Sequence, residues 1–314
     1  MKKWTIAFVN YKTSVYLNWQ LKGLYEFNDP ESFDLIIVDN SRPHEKEPLE
    51  HITKPYNEQY NNIKIIYYSP QEQSASGQHG EGMSVALKEA NSEYFFAQDP
   101  DFFFVKQQYL NFMEEYLKKG AVAIGAPYPK GVGGGHPHFP CAFGCAHPMH
   151  LIKDLDFTAL VCEEKREESL RLYPDLDYSY DVGWKIRLAL STEKDSSNFV
   201  VFDQEDFYNL ADSIGCHTYE LISKKYSLNG EDIAFHLFRG SFTDAVDGYN
   251  DKNKDLSSRL LKIRDKMGRY FYDYISTEQK PYIRPSYRML KRKIKTLKQK
   301  IKAIRHKLFK KKKH

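Results

Sequence analysis

The sequence predicts an α/β protein with a parallel sheet flanked by helices, and three observations predict it. Short apolar runs alternate along residues 4–104 with segments whose apolar residues recur at helical spacing. That alternation specifies parallel strands that present ligands at their carboxyl ends. Two of the runs end in acids, Asp39 and Asp99. The chain has 314 residues, 41% of them hydrophobic and 15% aromatic, enough to build the core of one large domain or of a domain with appendages.

The first strand is Trp4 to Tyr11, and Ser14 to Glu26 carries Val15, Leu17, Leu21 and Leu24 at helical spacing. Phe33 to Asp39 is the second strand, ended by Asn40-Ser41-Arg42-Pro43, and Ile63 to Tyr68 is the third. Ser74-Ala-Ser-Gly-Gln-His-Gly-Glu-Gly82 then reads as a glycine-rich loop, followed by a helix from Met83 to Ala90 and a strand ending at Asp99. Small residues ahead of a helix allow close backbone approach and leave N–H groups facing an anion, although plain turn chemistry explains the same run.

The run Phe95 to Phe104 holds two carboxylates one residue apart, Asp99 and Asp101, around Pro100. A carboxylate inside an apolar segment costs several kcal/mol, roughly, unless the segment ends at a site that wants charge. A hard divalent cation bridging to phosphate is the natural occupant, because Mg²⁺ or Mn²⁺ is held by one or two carboxylates and completed by substrate oxygens. The alternative is a turn between two hydrophobic segments, which Pro100 also suits.

In this order the parts resemble the family 2 glycosyltransferases of the GT-A fold, which are nucleotide-sugar-dependent enzymes. Val9-Asn10-Tyr11-Lys12-Thr13 looks like that family's first-strand pattern, Ile36-Ile37-Val38-Asp39-Asn40-Ser41 like its nucleotide-binding strand end, and Asp99-Pro100-Asp101 like its Asp-X-Asp motif. The resemblance covers about residues 4 to 245 and implies a GT-A (Rossmann-like) domain over 1–245, an α/β fold with a mixed, mostly parallel sheet flanked by helices, with a nucleotide-binding half of about 1–104 and an acceptor-side half of about 105–245. Lys12 and Glu81 depart from the family at positions where Asn is common.

The resemblance implies that Val9, Tyr11, Ser76 and Gly77 line the donor site, that Asp39 hydrogen-bonds the base, suiting a uracil ring N–H, and that Asp101 ligates the metal. Asp99 would serve the ribose or the metal. A base for the acceptor hydroxyl is implied at Asp181 in Tyr178-Ser-Tyr-Asp-Val-Gly-Trp, with Asp177 in reserve, although Tyr180 and Gly183 stand where the family often has acids. A helix N-cap is the other reading of Asp181. In Phe235-His236-Leu-Phe-Arg239, His236 would complete the metal shell and Arg239 would meet phosphate; a core histidine and a surface arginine are the alternatives. Imidazole suits Mn²⁺ better than Mg²⁺.

Residues 131–150 gather Cys141, Cys145 and four histidines, His136, His138, His147 and His150, so a zinc site is conceivable. The better reading is a glycine loop able to close over a donor, followed by a strand with Cys141 and Cys145 on one face. Phe139, Phe143 and Trp184 are candidates to stack on sugars, with core packing the favoured alternative.

Charge divides the chain. Residues 284–314 hold 15 Lys/Arg and no acid, which leaves 31 basic against 42 acidic residues in 1–283. Leu290, Ile294, Leu297, Ile301, Ile304 and Leu308 recur at spacings of three and four, so a helical extension over 246–283 is followed by a basic amphipathic helix over 284–314. Anionic lipid is the favoured partner, ahead of a short coiled coil that would make a homo-oligomer, and of nucleic acid, which is not expected. Four unevenly spaced cysteines make no disulfide framework, and Trp4 to Tyr11 is too short for a signal peptide. The expectation is a cytoplasmic protein held peripherally on the inner face of the cell membrane.

Together these readings describe a metal-dependent hexosyltransferase. It would move a sugar from a nucleotide-diphosphate donor, UDP-sugar favoured, to a hydroxyl of a surface glycan acceptor of lipid-linked, lipopolysaccharide or capsule type, with inversion. The alternative is a nucleotide-sugar-binding or membrane-scaffold protein that keeps the fold with weak catalysis.

Overall fold

A computed structural model describes residues 2–41, 49–72, 74–127, 139–158, 182–192, 198–209 and 222–236. The helical extension expected over 246–283 and the basic tail over 284–314 lie outside these residues. The first strand, β1 (Trp4–Asn10), is buried along its whole length. It lies between β2 (Phe33–Asp39) and β4 (Tyr94–Gln98) and runs parallel to both. Strands covered on both faces read as continuous apolar runs, which is why these segments were legible.

The edge strand β3 (Ile63–Tyr67) pairs parallel with β2. On the other side of β4 come β7 (Pro140–Pro148), β6 (Ala123–Pro127) and β8 (Phe199–Val201), giving one seven-stranded sheet of order β3-β2-β1-β4-β7-β6-β8. Within it β7 alone is antiparallel to its neighbours, and the other pairings are parallel. This is the mixed, mostly parallel sheet that the resemblance implies.

Helices cover both faces. The stripe Tyr16, Leu17, Leu21 and Leu24 of α1 (Ser14–Phe27) is buried, as its spacing requires. Met83, Ala86 and Leu87 of α3 (Ala75–Glu89) join Ala7, Val9, Ile36 and Val38 in one apolar cluster. Helix α2 (Glu50–Tyr60) buries only Thr53 and carries Pro55 inside it, so no apolar stripe announces it. Helix α4 (Tyr109–Lys118) stacks the ring of Tyr109 on Phe104 at 4.0 Å. The short α5 (Met149–Ile152) follows β7, and α6 is Trp184–Thr192.

A second, antiparallel sheet has the order β5-β11-β10-β9. It joins β5 (Phe102–Phe104), immediately after the acid pair, to β11 (Glu231–His236), β10 (Ile222–Leu228) and β9 (Asp203–Asn209). Its register places His236 opposite Phe102, so a residue 135 positions along the chain from Asp101 becomes its neighbour. None of these four strands was predicted individually: β5 belonged to the apolar run after the acids, and the others show no regular alternation, β9 opening on Asp-Gln-Glu-Asp and β11 on Glu-Asp. No helix among the described residues is long and apolar enough to cross a membrane.

Candidate active site

Three parallel strands end side by side, and each ends in polar residues. The last register pair of β1 and β2 is Asn10 with Asp39. Asp39 is fully buried; its Oδ1 accepts from Asn10 Nδ2 and from the backbone N–H of Ser41, both at 3.1 Å. Asn10 is in turn fixed through its Oδ1, which accepts from Thr13 N at 3.2 Å and Thr13 Oγ1 at 2.8 Å. Asp39 Oδ2 has no hydrogen-bond partner among the described residues, and the same holds for Asn40 Oδ1 and Ser41 Oγ. Leaving a buried carboxylate oxygen unmatched costs about 1–3 kcal/mol or more, so this strand end is built to receive a donor.

Val9 is buried and Tyr11 half-buried beside this end, with Lys12 Nζ 5.3 Å from the Tyr11 ring centre. The stretch expected as a glycine loop is instead the start of a helix: α3 begins at Ala75, with Ser74 Oγ capping the N–H of Gly77 at 3.0 Å. Ser76 is therefore exposed, and Gly77 is buried, in the first turn rather than in a loop. Gly77 has a packing reason of its own, since a Cβ there would lie 2.7 Å from Glu72 Cβ. At Gly82 a Cβ would meet Asn40 and Val9 at 3.0 Å, so this glycine is what lets α3 lie against the strand ends. Glu81 accepts from Gln71 N at 2.7 Å and so holds the segment entering the helix.

The acid pair sits in the turn between β4 and β5, so the turn reading and the site reading describe one object. Asp99 N donates to Phe143 O on β7 at 2.9 Å, and Phe102 N closes the turn onto Asp99 O at 3.1 Å. Asp101 is only 3% exposed, whereas the Asp99 side chain is partly open. His236 Nε2 lies 3.2 Å from Asp101 Oδ1 and 3.9 Å from Asp99 Oδ2. Its ring is stacked on Phe143 at 4.7 Å, which fixes the plane in which the nitrogen points.

One ligand atom from each of Asp99, Asp101 and His236 lies within 4.8 Å of the others. An octahedral ion with bonds of about 2.1 Å places neighbouring ligands about 3 Å apart and opposite ones about 4.2 Å apart, so only small shifts would let this set close on one ion. Two hard carboxylates and one imidazole suit Mn²⁺, and among the described residues no other set of acids, cysteines and histidines comes as close. His79 of α3, which sequence reasoning passed over, faces the same carboxylate, its Nε2 at 3.4 Å from Asp99 Oδ1. No spacing rule could have found it.

The cysteine-rich stretch separates from this cluster. Cys145 Sγ lies 3.0 Å from His147 Nε2, and His147 Nδ1 is 3.1 Å from Val122 O. A backbone carbonyl only accepts, so Nδ1 carries the proton and Nε2 receives the thiol hydrogen. Burial pushes the His147 pKa down to about 4, partly opposed by the Val122 carbonyl, and burial pushes the Cys145 thiol up. The two form a neutral pair inside β7, which matches the strand reading. Phe139 packs on Phe199 at 4.8 Å as a core ring, while Phe143 serves the site by backing His236.

Asp177, Asp181, Arg239, His136 and His138 lie outside the described residues. The approach to α6 is described from Val182 onward: Gly183 has φ +81° and accepts from Arg187 N at 3.1 Å. That left-handed backbone favours glycine, and an acid at position 183 would be strained there.

No family model and no curated protein matches the sequence. Among solved structures, the chain is similar to residues 1–349 of S. aureus TarS at 13% identity and TM-score 0.45, covering 87% of this chain and 70% of that one. It is similar to glucosyl-3-phosphoglycerate synthase from Mycobacterium tuberculosis, solved with Mn²⁺ and uridine-diphosphate-glucose, at 10% identity and TM-score 0.42, covering 64% and 68%. The mannosyltransferase PcManGT from Pyrobaculum calidifontis, in complex with GDP-Man and Mn²⁺, follows at 12% identity and TM-score 0.38, covering 49% and 47%.

Proposed function

We propose that this chain is a metal-dependent glycosyltransferase that takes a sugar from a nucleotide-diphosphate donor, with a UDP-sugar favoured. The observation that carries the reading is the placing of two unlike acidic sites at the same end of the sheet, at the ends of β2 and β4 on either side of β1. Asp39 is a buried acceptor with one oxygen unmatched among the described residues, suited to a ring N–H of the base. Asp99, Asp101 and His236 form a cluster suited to a cation. Uridine diphosphate has those two needs, the imide N–H of uracil at one end and a charged diphosphate at the other.

In this reading Asp101 and His236 hold the cation and Asp99 completes the set or meets the ribose. The cation, when bound, neutralises charge growing on the leaving diphosphate. Asn10 and the Ser41 N–H hold Asp39 so that Oδ2 faces the base. Asp181, with Asp177 in reserve, takes the proton of the acceptor hydroxyl as its oxygen attacks the anomeric carbon. The bond from that carbon to the diphosphate breaks in the same step, its electron pair leaves with the nucleotide, and configuration inverts. Arg239 adds a charged fork on phosphate. The acceptor is a hydroxyl of a surface glycan, lipid-linked, lipopolysaccharide or capsule in type. The 284–314 segment docks the enzyme on the anionic inner face of the cell membrane.

A second reading is favoured by one feature, the thinning of acids around Asp181, where Tyr180 and Gly183 stand. There the chain binds nucleotide sugars or scaffolds a membrane assembly with little turnover. Donor-dependent release of free nucleotide in the presence of acceptor separates the two. A thermal-shift screen of nucleotide sugars with Mn²⁺ and Mg²⁺ is expected to raise the melting temperature for the true donor. Retention of full turnover in both Asp181→Asn and Asp101→Ala would overturn the site assignment. Pelleting with vesicles, with and without residues 284–314, tests the docking; equal binding to neutral and anionic lipid would sink it.

A further inference from the structure

The turn bearing the two acids is tied down by side chains that bind nothing in the reading above. The carbonyl oxygen of Phe102, one residue past Asp101, accepts from Gln98 Nε2 at 2.6 Å and from Gln20 Nε2 in a second, short contact. The Gln20 amide also reaches Asp99 O at 3.5 Å. Gln98 ends β4, while Gln20 sits on α1 amid the apolar stripe of Tyr16, Leu17, Leu21 and Leu24, and both glutamines are buried. A glutamine in such a stripe weakens apolar packing and needs a polar reason to be there. Its reason is this carbonyl.

Phe102 N is spent on Asp99 O and Asp99 N on Phe143 O. The turn is thus anchored at its start to β7, across its middle to itself, and at its end to β4 and α1. We infer that Gln20 and Gln98 form a two-armed clamp that sets the Asp99–Asp101 turn before any cation arrives, making them positioning residues for the metal ligands. The inference rests on reading Asp99, Asp101 and His236 as a metal site. Ligands already in place need no ordering when the ion binds, so the clamp raises affinity without touching the ion.

The test is Mn²⁺ alone titrated into the full chain, with free Mn²⁺ read by electron paramagnetic resonance. Gln20→Met and Gln98→Met keep chain length and apolar volume but remove the donor. Each is expected to weaken Mn²⁺ binding about 10- to 100-fold. UDP binding in EDTA, which depends on Asp39, stays unchanged. Leu117→Ala, in the core of α4, controls for lost stability and is expected to leave Mn²⁺ affinity intact. Affinity within twofold of the unsubstituted protein in both glutamine variants would overturn the clamp. Absence of Mn²⁺ binding by the unsubstituted protein is a different result: it removes the metal reading, and the clamp with it. Should the variants not fold, hydrogen exchange on the unsubstituted protein decides. The Phe102 amide is expected to be equally protected with and without Mn²⁺, and marked slowing by Mn²⁺ would show a turn ordered by the ion instead.

Discussion

His147 and His236 are both buried, on β7 and β11, and they do opposite things. His147 is enclosed by a thiol and a backbone carbonyl, two groups without formal charge. His236 faces Asp101 at 3.2 Å and Asp99 at 3.9 Å, with an aromatic ring behind it. Burial alone therefore says nothing about role. What distinguishes a structural imidazole from one that can hold a cation is whether the atoms in front of it carry negative charge that needs neutralising.

The sharpest way to break that distinction is to exchange expectations between the two neighbourhoods. Asp101→Ala is expected to lower Mn²⁺ affinity and turnover by about 100-fold or more, because it removes the buried carboxylate of the set and leaves His236 without the charge it faces. His236→Ala should cost about 10- to 100-fold in Mn²⁺ affinity, while His147→Gln should leave it unchanged. A titration in which His147→Gln weakened Mn²⁺ as much as His236→Ala would erase the contrast.

Acid stability is the next largest effect and belongs to His147. Its pKa falls from 6.5 to about 4 because burial disfavours the imidazolium. Below pH 6.5 the unfolded chain takes up a proton that the fold refuses until about pH 4, so stability is full above that window and falls as pH drops through it. The shift corresponds to about 3 kcal/mol. Denaturant melts of the unsubstituted protein and His147→Gln at pH 7 and pH 4.5 check this. The gap between them should shrink in acid, and a constant gap would assign the effect elsewhere.

The same contrast explains what the sequence could and could not disclose. β1, β2 and β4 are legible because both faces of each are covered, so their residues are apolar until the polar end apart from Thr5 and Asp34, and Asp39 and Asp99 then stand out. The acid pair and His236 were recognisable by type and order, but their meeting depends on β5 pairing with β11, and two strands far apart in the chain whose paired residues are all buried carry no alternation to announce each other. The early start of α3 was hidden because glycines favour loops by propensity, whereas here Gly77 and Gly82 are required by close contacts with Glu72 and Asn40. His79, Gln20 and Gln98 act only through where the fold places them. The four histidines of 136–150 look alike in a sequence; that His147 is neutral and inward follows from Cys145 and Val122, which the strand register brings to it.

Glu114 extends the comparison to a third buried group and gives the smallest effect. Like His147 it is nearly inaccessible, and burial on its own would raise its carboxyl pKa and favour the neutral form. Two cations reverse that outcome: Lys118 Nζ lies at 2.5 Å and Lys3 Nζ at 2.9 Å, and together they hold the pKa below the usual 4.5. A depressed carboxyl contributes stability above the unfolded pKa and loses it as pH falls through the folded value, so its window opens below about pH 4.5, where that of His147 is closing. Both lysines are largely in water, which screens the attraction and limits the gain to about 1 kcal/mol. Glu114→Gln should therefore cost about 1 kcal/mol at pH 7, measured by denaturant melts, and progressively less below pH 4.5. Salt should narrow the difference at pH 7 in the glutamate protein while leaving the His147 window in place, because one effect is attraction to two lysines that face water and the other is desolvation in the interior. A Glu114 contribution that survived acid would mean that packing rather than charge holds this side chain, and partner charge would then fail as the rule separating His147 from His236.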